Sequence, residues 1–172
     1  AKWRSVSLAL KGEIKNLLDL GGMNLHLHGS GKNLAELGPI TGLKLPPTDE
    51  FFLEGRLTGS GRALSLHDIM GQARRGSLNL TVNGKSGDLP VFRHVDLRLK
   101  GAGKDLAQAE MIVGQKLPST DEFFLQGRLT GSGKALSLLE ARGLARRGSL
   151  SLEATGAIKN LAGVTGMDLK LK

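Results

Sequence analysis

Apolar residues occupy every second position in much of this chain. Segments such as 6–10, 78–82 and 97–99 carry Leu or Val at alternate positions, and polar or small residues lie between them. A period of two places the apolar side chains on one face of a β-strand. Breaks such as Gly59 to Gly61 and Arg74 to Gly76 separate the segments and are typical of turns. Because strands joined by short turns pair antiparallel with their neighbours, the pattern predicts a meander that is mainly all-β.

The chain is also a repeat array. Residues 45–66 and 117–138 share nineteen identical positions out of 22, at an offset of 72 residues, and Gly12, Gly84 and Gly156 keep the same offset. We therefore treat 1–172 as one array, with units at approximately 1–72, 73–144 and, in part, 145–172, and with about four strands in each full unit. Units of an array bury their apolar surfaces against one another, so we expect function to lie in an extended surface.

One segment in each full unit departs from the period of two. Asn33 lies three residues before Glu36, and Asp105 three residues before Gln108, which is the capping-box spacing of a helix N-terminus. Apolar residues at helical spacing follow in both cases. We predict one short helix per 72-residue unit, near 33–41 and 105–113, that closes one end or edge of the sheet.

Composition narrows the class of protein. Hydrophobic residues make up 40% of the chain, which is enough for a packed core, and no long polar tract indicates disorder. The absence of cysteine excludes disulfides, thiolate metal ligands and a thiol nucleophile. No apolar run approaches the roughly 18 residues of a membrane span, and no signal peptide is recognisable.

The net charge of +8 raises the question of a nucleic-acid partner. The chain has no tyrosine, and four of its phenylalanines lie in the pairs 51–52 and 123–124 beside Asp and Glu, so stacking platforms interleaved with Lys and Arg are missing. Most cations alternate singly with leucine, as on a solvated strand face. We expect no nucleic-acid partner and at most a secondary attraction for anionic lipid headgroups.

Candidate catalytic and metal-binding residues are few. His26 and His28 share one side of a strand, but their counterparts in the next unit are Arg98 and Lys100, so we interpret them as part of a solvated face and not as metal ligands. The tripeptide Gly84 to Ser86 resembles the end of a phosphate-binding loop but lacks the glycine required five positions earlier. The sequence predicts no catalytic residue, no metal and no cofactor, and we expect that the protein is not an enzyme.

The apolar strand faces exceed what one short helix per unit can cover. Each Leu or Val contributes roughly 1.5–3 kcal/mol when fully buried. The sheet is therefore expected either to curl until its leucines meet in a sealed core or to stay open as a trough, taco-like in section, whose apolar lining holds acyl chains. The residues that we assign to this lipid groove are Val6, Leu8, Leu10, Leu25, Leu27, Leu57, Leu64, Leu66, Leu78, Leu80, Val82, Leu97, Leu99, Leu129, Leu136, Leu138, Leu150, Leu152, Leu169 and Leu171.

Several strings resemble the repeats of a known family. GRLTGSGRALSL (55–66), GRLTGSGKALSL (127–138), ARRGSLNL (73–80) and MNLHLHGSGKNLAEL (23–37) are similar to repeats of AsmA-like proteins of the Gram-negative envelope, a group related to TamB-type and other bridge-like lipid transfer proteins. The resemblance spans essentially the whole chain and consists of structural glycines and alternating leucines. It implies a curled β-sheet trough in the periplasm, anchored in the inner membrane in the full-length protein. It also implies a role in phospholipid transport and outer-membrane biogenesis, with a phospholipid or another acyl-chain lipid as partner.

Three functional hypotheses remain open at this point. The first is a lipid-binding segment of an AsmA-like transporter. The second is a structural or adhesive β-repeat with a sealed core, and the third is an enzyme whose pocket joins titratable groups from different units. Periodicity shows which residues share a face but not what covers that face, so an open or a filled apolar face would distinguish the first two.

The edges of the predicted sheet favour association with other chains. Strands near Trp3 to Leu10 and near Met167 to Lys172 are expected to lie at the two edges, each with one unpaired side. Unpaired strand edges form hydrogen bonds with strands of other chains. We therefore expect strand-edge self-association of this segment.

Overall fold

The computed structural model of the chain is one open antiparallel sheet of eleven strands. It describes residues 2–3, 5–18, 21–41, 45–61, 63–89, 93–110, 116–133, 135–161, 163 and 165–172. The strands are β1 (Lys2–Trp3), β2 (Val6–Asn16), β3 (Gly21–Gly31), β4 (Glu50–Ser60), β5 (Ala63–Arg75), β6 (Leu78–Gly87), β7 (Arg93–Gly103), β8 (Glu122–Ser132), β9 (Ala135–Arg147), β10 (Leu150–Asn160) and β11 (Thr165–Leu171). Each strand pairs with its neighbours in chain order, so the predicted meander is confirmed.

The strands recur at the offset seen in the sequence. β2 to β5 and β6 to β9 form two four-strand units whose strands start 72 residues apart, and β10 and β11 begin a third. The breaks that the sequence marked as turns end in turns at Gly61 and Gly76, whereas Gly59, Ser60, Arg74 and Arg75 still belong to strands. The edges of the sheet are β1, which pairs with two residues of β2, and β11.

A short helical segment lies at each predicted place. The segment near 33–41 consists of a 3₁₀ turn at Leu34–Leu37 followed by one α-helical turn, α1, at Gly38–Thr41. In the second unit a 3₁₀ turn covers Leu106–Ala109, and the end of the helix predicted there, from residue 111, lies outside the described residues. The predicted short helix is confirmed in the first unit and, as far as residue 109, in the second.

The capping side chains explain why these turns are tight. Asn33 accepts a hydrogen bond from the Ala35 backbone N–H at 3.1 Å, as an N-cap residue does. Glu36 does not complete a capping box, because its carboxylate accepts a hydrogen bond of 2.9 Å from the Ser5 hydroxyl, at the start of β2. The second unit repeats both contacts with Asp105, Ala107, Gln108 and Ser77. Glu36 and Gln108, the second side chains of the predicted boxes, thus bind the serine that precedes the first strand of their unit and not their own turn.

Each 3₁₀ turn covers one end of the sheet with a small apolar cluster. The first cluster joins Leu37 to Val6 and Phe51, all at most 5% exposed. The second joins Ala109 to Leu78 and Phe123, with Leu78 only 1% exposed. The expectation that the helical segments close one end of the sheet is confirmed for these residues.

We define the inner face of the sheet as the face that carries Leu53 and Leu99. On this face, large side chains lie opposite small ones on neighbouring strands. Directly paired residues of neighbouring strands project to the same face. One such row of pairs runs through Leu8, Gly29, Leu53, Gly71, Val82, Leu99 and Gly127. The next row runs through Val6, Gly31, Phe51, Ala73, Leu80, Gly101, Leu125, Gly143, Ala154 and Leu171. Most large side chains in these rows have a glycine or alanine beside them, which makes room for a concave face.

The glycine shared by all three units has a structural reason. Gly12, Gly84 and Gly156 have φ values of 146°, 147° and 153°, in a region that residues with a Cβ rarely adopt. A Cβ at each position would also overlap the backbone carbonyl oxygen of the next strand, at Asn24, Asp96 and Asp168 respectively. Only glycine fits this position.

We predict that Gly84→Ala lowers the free energy of unfolding by about 2–4 kcal/mol, because it combines an unfavourable φ with a backbone overlap. Gly29→Ala is the matched control: its Cβ would meet the nearest atom, Leu8 Cδ1, at an ordinary 3.5 Å. It should change the stability by less than about 1 kcal/mol. Urea denaturation of both variants measures the difference, and equal stability losses would contradict this role of Gly84.

Candidate functional site

An apolar groove crosses the inner face of the sheet from β4 to β11. Its volume is about 600 Å³, within the range of roughly 300–1,000 Å³ typical of small-molecule sites. The groove crosses the strands, so it runs in the direction in which one repeat unit follows another. Its apolar lining consists of Leu34, Phe51, Leu53, Ala73, Leu78, Leu80, Val82, Leu99, Ala109, Phe123, Leu125, Leu138, Ala141, Ala154 and Leu169, with glycines at 71, 101, 127 and 143. Phe52 contributes only its backbone, because its side chain projects to the outer face.

Branched side chains lie across glycines on the floor of this groove. A Cβ at Gly71 would come within 2.6 Å of Val82 Cγ1, and one at Gly127 within 2.7 Å of Leu138 Cδ1. These separations are too short for two carbon atoms, so the methyl groups occupy the space above the glycines. The floor is therefore a continuous layer of methyl groups with few polar atoms.

The inner face is open to solvent in the described part of the chain. Leu125 and Leu169, which line the groove, are 41% and 42% exposed, and Leu152 on the same face is 52% exposed. Closely packed interiors leave such side chains far less accessible, as Leu78 shows in the cluster under the second 3₁₀ turn. The described residues thus form a trough with an apolar floor.

The polar residues along the groove contribute backbone and not side chains to its floor. Gln72, Thr81, Lys100, Gln126 and Arg142 pair consecutively across five strands, one position away from the inner rows. Because successive side chains of a strand point to opposite faces, these five project to the outer face. The groove therefore has no charged side chain from this row on its floor.

All twenty residues predicted for the groove lie on the inner face. Leu78, Leu80, Val82, Leu99, Leu138 and Leu169 line the groove itself. The others lie on the same face outside it: Val6, Leu8, Leu10, Leu25, Leu27, Leu57, Leu64, Leu66, Leu97, Leu129, Leu136, Leu150, Leu152 and Leu171. Their pairing brings them into continuous rows with the residues that line the groove.

Sequence reasoning missed several lining residues. Phe51, Leu53, Phe123 and Leu125 line the groove and continue the same period of two, so their spacing could have identified them. Leu34 and Ala109 reach the groove from the 3₁₀ segments. No period in the strands indicates those two, because their position depends on how the helical segments fold back over the sheet.

The outer face carries ion pairs between neighbouring strands. Arg128 donates two hydrogen bonds to the Asp96 carboxylate, at 2.7 Å from Nε and 2.9 Å from Nη2. These hydrogen bonds, together with the positive charges of Arg128, Lys85 and Arg98, lower the pKa of Asp96 below its ordinary value of 3.8 despite partial burial. The same contact raises the pKa of Arg128. Asp96 and Arg128 thus connect β7 to β8 on the face opposite the groove.

The two histidines of β3 also lie on the outer face. His28 Nδ1 is 3.1 Å from Glu54 Oε1, and its ring packs edge-on against Phe52 at a centroid distance of 5.1 Å. His26 pairs with Lys11 on one side and Arg56 on the other. In the described part of the chain, no three His, Asp or Glu side chains converge as metal ligands would.

Comparisons with protein-family models, curated proteins and solved structures find no match to this chain. Among the described residues, no helix is long and apolar enough to cross a bilayer.

We predict that the Asp96–Arg128 pair stabilises the fold at neutral pH and loses this effect in acid. A carboxylate whose pKa is lowered by folding stabilises the fold above the pKa it has when unfolded. The contribution is lost as the pH falls through the lower pKa of the folded state, in this case below about pH 4. Asp96→Asn should lower the melting temperature by about 1–3 °C at pH 7 and by less at pH 3.

Asp168→Asn provides the control for this prediction. Asp168 occupies the equivalent position in the third unit, and among the described residues no ion pair involves it. Its replacement should leave the melting temperature nearly unchanged at both pH values. A pH-independent effect of Asp96→Asn in thermal scans would contradict the stabilising role of the charge.

Proposed function

We propose that this chain is a lipid-binding segment of an AsmA-like protein and that its inner groove binds the acyl chains of phospholipids. The observation that supports this function best is the open apolar groove that follows the repeat axis. A ligand that fits such a groove is long, flexible and apolar. The wider role proposed here is phospholipid transport and outer-membrane biogenesis in the periplasm, with the full-length protein anchored in the inner membrane. This wider role is proposed because the repeats resemble those of AsmA-like proteins, and it requires no catalytic group.

The chemistry of the floor supports acyl chains over more polar ligands. Each methylene group removed from water contributes roughly 0.8 kcal/mol, so ten of them contribute roughly 8 kcal/mol before the cost of ordering the chain is subtracted. The methyl layer over Gly71 and Gly127 offers no directed hydrogen bond to fix a position along the groove. Binding of this kind discriminates weakly between positions, which suits a ligand that moves along a protein.

The open shape of the trough leaves room for the polar headgroup of a bound lipid in water. The inner face remains open at Leu125, Leu152 and Leu169, so a headgroup can stay in water while its acyl chains lie on the floor. Desolvating a charged phosphate would cost far more than burial of a few methylenes returns. An open trough avoids this cost, whereas an enclosed cavity of the same lining would not.

We predict that Leu125→Lys weakens the binding of a fluorescent phospholipid analogue to the purified chain about tenfold or more. The substitution removes apolar contact, which contributes roughly 1.5–3 kcal/mol when fully buried, and places a charge beside the acyl chains. Leu144→Lys is the matched control, because Leu144 pairs with Phe124 on the outer face of the same two strands. It should leave the affinity unchanged. Equal effects of the two substitutions would contradict binding in the groove.

A second prediction concerns the ligand in cells. A photo-crosslinking residue at Leu99, on the floor of the groove, should capture phospholipid in Gram-negative cells that express the chain, and one at the adjacent Arg98 should not. Mass spectrometry of the crosslinked products identifies what was captured. Capture of lipid only at Arg98 would show that the ligand-binding face is wrongly assigned. Capture at neither position would contradict lipid binding and favour a purely structural repeat.

A further inference from the structure

The outer face of the second unit concentrates positive charge around Asp96. Arg128 binds this carboxylate from β8, and Lys85 pairs with Asp96 from β6. Arg98 lies directly opposite Arg128, and Lys100 follows Arg98 by two residues, so it projects from the same face of β7. One carboxylate therefore lies among four cations. We define these four residues as the cationic patch: Lys85, Arg98, Lys100 and Arg128.

The charge of the cationic patch is only partly neutralised. In the described part of the chain, no ion pair involves Lys85, Arg98 or Lys100, and all three side chains are exposed. Arg98 and Arg128 face each other directly, and like charges in that arrangement destabilise a pair of strands. A bound anion would remove this repulsion, so the patch is complementary to a negatively charged ligand.

The first unit shows that the fold does not require this surplus of cations. Its strands pair in the same register, but its charges differ. The residues there that correspond to the cationic patch are, in the same order, Glu13, His26, His28 and Arg56. Glu54 forms an ion pair with His28, whereas Gln126 takes the place of that acid opposite Lys100 in the second unit. The second unit has therefore gained cations and lost an acid on an unchanged sheet.

We infer that the cationic patch is a docking site for an acidic segment of a partner protein. The two hydrogen bonds from Arg128 to Asp96 use Nε and Nη2, and among the described residues Nη1 has no acceptor. A guanidinium group that is fixed in this way can bind a carboxylate through directed hydrogen bonds. The inference does not rest on the proposed lipid function, because the patch lies on the face opposite the groove.

Carboxylates on both sides of the patch favour a protein segment over a uniformly charged partner. Asp68 lies on the β5 side with its side chain 75% exposed, and the exposed Glu140 of β9 acts electrostatically on Arg128. A bilayer surface or a nucleic-acid backbone presents phosphates over a wide area, so it would also meet these carboxylates and be repelled by them. A narrow peptide segment contacts the cations without covering either acid.

Exposed apolar side chains in the same rows indicate what else the partner segment carries. Met70 is 50% exposed and shares a row of paired residues with Arg98. Phe52 is 37% exposed and shares the next row with Lys100. Arginine, methionine and phenylalanine are the residue types enriched at protein–protein interfaces. The segment that fits this surface therefore combines carboxylates with an apolar side chain that contacts Met70.

The test uses a labelled synthetic peptide of glutamates that contains one leucine, added to the intact chain in about 0.1 M salt. Fluorescence anisotropy should show saturable binding. Arg98→Gln combined with Lys100→Gln should weaken binding about fivefold or more, since an exposed ion pair contributes up to about fivefold in affinity. Gln126→Glu places an acid opposite Lys100, as Glu54 lies opposite His28, and should weaken binding about threefold.

Two further variants separate local recognition from net charge. Met70→Ser should weaken binding of the leucine-containing peptide about threefold and leave binding of a peptide of glutamates alone unchanged. Arg74→Gln combined with Arg146→Gln is the matched control, because it lowers the net charge of the chain by the same amount. These arginines pair with Glu50 and Glu122 outside the patch, and charges more than about 10 Å apart are largely screened in this salt. The control should change the affinity by less than about twofold.

The remaining outcomes overturn the inference. They are absence of peptide binding and equal losses of affinity in the two double variants. Tighter binding of phosphatidylglycerol vesicles or of a single-stranded RNA, with the same loss in the Arg98→Gln, Lys100→Gln variant, would assign the patch to a membrane or to nucleic acid instead. Circular dichroism checks that each variant is folded. Leu125→Lys on the inner face should leave peptide binding unchanged, and phospholipid binding measured on the same variants separates a failure here from a failure of the proposed lipid function.

Discussion

The pairing of large with small side chains across strands determines the shape of this protein. On the concave side of a sheet, side chains converge, and two branched residues placed directly opposite each other compete for the same space. Gly71 opposite Val82 and Gly143 beside the Leu125 methyl group remove that competition. The sheet can then curve toward its apolar face without sealing it. The groove is a consequence of this curvature and needs no separate wall.

The outer face obeys a different constraint, which explains why its residues vary between units. Side chains on the convex side diverge and meet solvent, so their volume matters little. His26, Arg98 and Lys170 occupy equivalent positions there. The residues on either side of each, which point to the inner face, are leucine in all three units. Ion pairs such as Asp96 with Arg128 join neighbouring strands, but the first unit has Asn24 in place of Asp96 and keeps the same pairing of its strands. Ion pairs on the outer face therefore affect the stability of the sheet, whereas the side chains of the inner rows determine its fold.

The sequence was sufficient for the strands and their order, because a period of two and glycine-marked turns are local signals. It placed all twenty predicted groove residues on one face for the same reason. Whether the curled sheet would be sealed or open was not predictable, since it depends on which residue lies opposite which across strands. That register shifts by bulges at Asp68 and Glu140, which have φ values of 51° without being glycine. The short helical segments were predictable from their N-cap residues, but the closing of the capping box was not, because Glu36 has the spacing of a box and binds Ser5 of another element instead.

The two apolar clusters under the 3₁₀ turns also make the trough asymmetric. Val6 and Phe51 in one unit, and Leu78 and Phe123 in the next, are buried at the same end of their strands. A lipid bound as we propose would have to separate a packed cluster to enter through that end, at a cost of several kcal/mol. Entry over the open inner face separates no packed residues, since Leu125 and Leu169 are already accessible. A lipid bound as we propose would therefore lie across the strands with its headgroup at the open face, and each added unit would lengthen the path without adding a barrier.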